Sequence, residues 1–99
     1  MHRYAGQPSS NGPRPQATLF VGNLAYSVDE SILKDEITRY IDESKIASIR
    51  FPVDKDTGKK RGFAYVDLIH EDDAKKLFYE MHGQEVMGRK VAVDDATRR

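Results

Sequence analysis

Phe20, Phe63 and Tyr65 are the side chains best suited to surface chemistry, because each falls at the outward position of an alternating apolar run. In residues 62–68 a period of two places Ala64, Val66 and Leu68 on one side and Phe63, Tyr65 and Asp67 on the other. The same rule in residues 18–22 turns Leu19 and Val21 inward and Phe20 outward. If helices cover the aliphatic side, three rings lie together on an open face, an exposure that calls for something flat to stack on them. Lys59, Lys60 and Arg61 run directly into residues 62–68. A guanidinium matches phosphate oxygens, so rings and cations together point to a ligand that is both planar and anionic. The plain alternative is that one or more of the rings belongs to the core.

The chain that must position these groups has 99 residues, with 16 Lys and Arg against 16 Asp and Glu. It has room for one small domain. Without cysteine there is neither a disulfide staple nor a thiolate metal site. No apolar run approaches the roughly 20 residues that cross a bilayer, so a soluble chain without membrane contact is expected. The neutral total hides an asymmetry. Residues 29–43 hold six acids against Lys34 and Arg39, and residues 71–82 hold four against Lys75 and Lys76, for net charges of −4 and −2. The rest of the molecule carries +6, so one side attracts phosphate and the other repels it.

Residues 1–16 contain three of the four prolines and no acid, and their apolar residues follow no period. They read as a disordered tail, followed by one domain over 17–96 and a short basic tail over 97–99. A strand over 18–22 leads to a helix capped by Ser27 with Glu30, whose apolar stripe of Ile32, Leu33, Ile37 and Ile41 runs to about residue 42. Residues 46–53 alternate, with Ala47, Ile49, Phe51 and Val53 on one face and Ser48, Arg50 and Pro52 on the other. Pro52 marks this strand as an edge. After the charged loop 54–60 and the strand 62–68, a helix over 71–82 carries Ala74, Leu77, Phe78 and Met81 at helical spacing, with Tyr79 outside, and stops at Gly83. A small hairpin over 84–88 and a last strand over 90–94 complete the chain. The order strand, helix, strand, strand, helix, strand describes an α+β sandwich.

Catalysis is not expected. His2, His70 and His82 have no ligand spacing, Gly58-Lys59 lacks the other residues of a phosphate loop, and the serines have no evident base beside them. No cofactor or metal is implied.

Leu19-Phe20-Val21-Gly22-Asn23-Leu24 and Arg61-Gly62-Phe63-Ala64-Tyr65-Val66-Asp67-Leu68 resemble the short and long ribonucleoprotein motifs of the RNA-recognition motif family. The resemblance covers about residues 18–96. It implies a ferredoxin-like βαββαβ fold, a four-stranded antiparallel sheet with two helices on one face. It further implies that Phe20 and Tyr65 stack under bases of single-stranded RNA, that Phe63 meets sugars, and that Arg61 pairs with phosphate. Lys59, Lys60, Arg50 and Lys90 are further candidates for backbone or base-edge contact. A monomer in the nucleus or cytoplasm is expected, acting in RNA processing, stability or translation, with an organelle left open. The other reading is a protein-interaction module within a ribonucleoprotein complex, using the acidic helix face with Tyr79 or a covered sheet face.

Three departures from the family pattern carry expectations. Leu68 replaces the usual aromatic. Ile37 and Ile41 stand where Phe and Gly are usual, so the first helix is expected to run longer. Asp67 and Asp94 place acids on or near the sheet face, where they would limit the footprint or select for base amino groups.

Overall fold

Alternation and turn chemistry generate a sheet with one covered face. The computed structural model describes residues 15–97, so most of the tail expected over 1–16, and residues 98 and 99, lie outside it. The strands are β1 (Ala17–Gly22), β2 (Ile46–Arg50), β3 (Ala64–Leu68), β4 (Glu85–Val86), β5 (Arg89–Lys90) and β6 (Ala92–Asp95), and the helices are α1 (Glu30–Ile37) and α2 (Glu71–Met81). The main sheet is antiparallel in the order β2-β3-β1-β6, with β4 and β5 forming a separate hairpin. This is the expected ferredoxin-like sandwich. Gln16 and Thr97, which flank residues 17–96, are both bonded to the sheet. The Gln16 N–H donates to the Leu68 carbonyl at 2.9 Å, and the Thr18 N–H donates to Thr97 Oγ1 at 3.1 Å.

The core lies between the sheet and both helices. Leu19, Val21, Ala64, Val66, Leu68 and Val93 from the sheet meet Leu33, Ile37, Leu77 and Met81 from the helices, all buried. Leu68 thus fills a core position, as its aliphatic side of the strand requires.

Five local readings need correction. The first helix is capped by Asp29, whose Oδ1 accepts from the Ile32 N–H at 2.9 Å, and not by Ser27. Val28 and Leu33 flank that cap and are both buried, a hydrophobic staple that fixes the entry two residues later. The same helix ends at Ile37 and is shorter than expected, not longer. Tighter turns follow, in which the Tyr40 and Ile41 N–H groups share the Ile37 carbonyl at 3.0 and 3.2 Å, and Ile41 is still buried. β2 ends at Arg50, and the register shifts between Ile46 and Ser48, which leaves Ala47 exposed. Val53 is 51% exposed, because the chain has already left the sheet there. Lys90 belongs to the small hairpin, and the last strand begins only at Ala92. The edge position inferred from Pro52 holds, since β2 is an outer strand.

Candidate nucleic-acid interface

β1 and β3 pair so that Phe20 faces Tyr65 across the ladder. Both side chains leave the face opposite Leu19, Val21, Ala64 and Val66, and Phe63 follows two residues before Tyr65 on the same side. The ring centroids are 5.2 Å apart for Phe20 and Phe63, 5.9 Å for Phe20 and Tyr65, and 5.7 Å for Phe63 and Tyr65. These are favourable aromatic separations, and two of the three pairs meet edge to face. Each of the three residues is partly buried and partly open to solvent. Three mutually braced rings therefore form one apolar platform on the side without helices.

Two glycines shape that platform. A Cβ on Gly22 would stand 2.6 Å from Phe20 Cε2 and 2.9 Å from its Cζ, so the ring of Phe20 lies over the space that glycine leaves. Gly62 has φ +80°, which a side chain would strain, and its carbonyl accepts from the Leu24 N–H at 2.9 Å. That bond stitches the entry to β3 onto the loop after β1.

The cations divide into three groups. Arg61 is exposed, and its guanidinium carbon is 5.9 Å from the Phe63 ring centroid. Lys59 and Lys90 are also exposed, with Lys90 on the hairpin beside β1. Lys60 is tied down instead, because its Nζ donates to the Val28 carbonyl at 2.7 Å and lies 5.5 Å from the Phe51 ring. Arg50 is likewise committed. Its Nε donates to Asp67 Oδ2 and its Nη2 to Asp67 Oδ1, both at 3.0 Å, while its guanidinium carbon stands 5.3 Å from the Tyr65 centroid.

Asp67 has a different role from the one its position suggests. Asp67 is only 8% exposed, and its carboxylate also accepts from Thr18 Oγ1 at 2.7 Å and Ser48 Oγ at 2.6 Å. With two donors on each oxygen, no lone pair is left for a base amino group. Burial alone pushes this carboxyl up, but the hydrogen bonds from Ser48, Thr18 and Arg50, with the Arg50 charge, outweigh it and hold it below the usual carboxylate range. A lowered folded-state value means stability that is present above the unfolded pKa of about 3.9 and is lost as pH falls through the folded value. Asp67→Asn is therefore expected to cost about 1–3 kcal/mol near neutrality. In thermal melts across pH, the gap between native and variant should close below about pH 4. A gap independent of pH would refute this role. Asp94 pairs with Phe20 across β1 and β6, and its Oδ1 accepts from the Asp95 N–H at 2.8 Å.

Reading the sequence alone missed Asn23, Tyr26 and Arg89, which border the platform. The signal for Arg89 was its place beside Lys90; for Tyr26 there was only an apolar residue in a turn. On the far side, Tyr79 is 80% exposed on α2, as expected. Among the described residues, no cluster of His, Asp and Glu could hold a metal.

Residues 19–92 match the RNA recognition motif family, and the chain belongs to that family. A mitochondrial glycine-rich RNA-binding protein 4 from Arabidopsis thaliana is 36% identical over 92% of this chain and 71% of its own length. RNA-binding protein 34 from Rattus norvegicus is 39% identical over 86% of this chain but only 19% of its own length. Among solved structures, RNA-binding protein PG1 superposes with a TM-score of 0.74 at 36% identity, covering 84% of this chain and 96% of that one. The second RRM domain of the yeast poly(U)-binding protein Pub1 gives 0.71 at 30% identity, over 81% and 93%.

Proposed function

We propose that this chain is a single-stranded RNA-binding module that acts through its sheet face, without catalysis. The observation that carries the reading is the mutual contact of Phe20, Phe63 and Tyr65 on the face that, among the described residues, no helix covers. Bases stack on Phe20 and Tyr65, Phe63 meets the sugars between them, and Arg61 pairs with a phosphate. Lys59 and Lys90 add backbone contacts. Arg50 holds its guanidinium over the Tyr65 ring, and Lys60 fastens its own loop to the residue before the α1 cap. The module's service is in RNA processing, stability or translation; the similarity to the mitochondrial glycine-rich protein and to a U1 small nuclear ribonucleoprotein 70 kDa from Arabidopsis thaliana supports RNA binding in an organelle or in the nucleus.

Titration with single-stranded RNA under increasing salt tests the assignment. Arg61→Ala is expected to reduce the log–log salt slope by about 0.7, the loss of one phosphate contact on a single strand. In a parallel amide-shift titration, RNA should move Phe20, Phe63 and Tyr65. Movement confined to α1 and α2 would instead favour a protein partner on the acidic helices.

A further inference from the structure

The end of the sheet where β1 passes into α1 holds a hollow of about 380 Å³, bordered by Phe20, Asn23, Tyr26, Arg61, Phe63 and Arg89. Its lining has two guanidiniums and no acid. The other end of the ring platform is the opposite, since Arg50 there is neutralised by Asp67. Tyr26 is 74% exposed at the rim, a large ring with little protein against it.

The hollow is also held in shape. Asn23 has φ +61°, a left-handed conformation that Asn tolerates better than most residues. From that turn its Nδ2 donates to the Lys90 carbonyl at 2.7 Å, and its Oδ1 accepts from Arg89 Nη2 at 2.6 Å. The next residue, Leu24, is bonded to Gly62 directly after Arg61. One loop is thereby joined to both arginine-bearing segments, and Arg89 is oriented before any ligand arrives.

We propose that this hollow is an additional nucleotide subsite, in which a base stacks on Tyr26 and its phosphate lies between Arg61 and Arg89. The inference rests on the RNA-binding reading of the sheet and extends it by one nucleotide past the platform. Asn23 is a positioning residue, acting through Arg89. The expected ligand is a nucleotide continuous with the strand on the sheet, since Phe20 and Phe63 border both places.

The test uses labelled single-stranded RNA oligomers shortened one nucleotide at a time, with the native chain, Tyr26→Leu, Arg89→Gln and Phe20→Ala. The longest oligomers should bind Tyr26→Leu and Arg89→Gln about 5-fold or more weakly than the native chain, within the range for one lost stacked base. The shortest oligomer that the native chain still holds should bind both variants as well as the native chain. Arg89→Gln should also lower the log–log salt slope by about 0.7 on long oligomers only. Native behaviour of both variants at every length overturns the subsite, and a continued loss in Phe20→Ala then leaves the sheet reading standing. Equal losses at all lengths overturn it as well, because they mark a change in the platform itself. A native chain that binds no oligomer overturns the subsite and the sheet reading together.

Discussion

Phe20→Ala and Tyr65→Ala are each expected to weaken binding of single-stranded RNA by about 1–3 kcal/mol, roughly 5- to 150-fold, without unfolding the domain. The direction follows from where the rings stand. Each faces away from the core, so its loss removes a surface that the proposed reading gives to a base and leaves Leu19, Val21, Ala64 and Val66 sealed beneath. The cost to stability is confined to lost ring-to-ring contact, about 0.5–1.5 kcal/mol for such a pair. Because the rings touch one another at 5.9 Å, the double variant is not expected to equal the sum of the singles. Fluorescence anisotropy for affinity and thermal melting for the fold separate the two effects. Native affinity in both single variants would end the assignment.

The largest expected effect on stability comes from Leu33→Ala. Leu33 is fully buried on α1, beside Val28 and Ile37, where no solvent can fill the space its side chain leaves. Large-to-small changes of this kind cost about 2–5 kcal/mol. In a domain of this size that corresponds to a fall in melting temperature of about 8 °C or more. RNA affinity, measured well below the melting temperature, should stay near the native value, since α1 lies on the covered side of the sheet. A variant that melts like the native chain would show that the core relaxes around the gap.

The strands that carry the rings were legible because inward aliphatic residues alternate with them, and burial follows that alternation in β1 as far as Val21 and in β3 as far as Val66. Helix α2 was legible for a similar reason, with an acidic first turn and buried Ala74, Leu77 and Met81 at the expected spacing. What failed involved competition between equivalent signals or a break in period. Ser27 and Asp29 are both good cap residues, and burial of Val28 beside Leu33 decides between them. The bulge after Ile46 inserts a residue that no count of alternation reveals. Asp67 was misread because its partners come from two other strands. Thr18 faces it from β1 and Ser48 from β2, a convergence that exists only once the register is known. The same limit applies to Arg50 and Lys60, whose intramolecular acceptors lie on segments that only the fold brings beside them.

The empty space above Gly22 has a consequence for how the first ring meets a strand. One hydrogen atom where every other amino acid carries carbon lets Phe20 recline, so that its plane lies only 33° from that of Phe63. A methyl group there would lift the ring like a tile prised up at one edge, and the proposed stacking surface would lose its common floor. Smallness at residue 22 thus levels the ground on which its larger neighbours work.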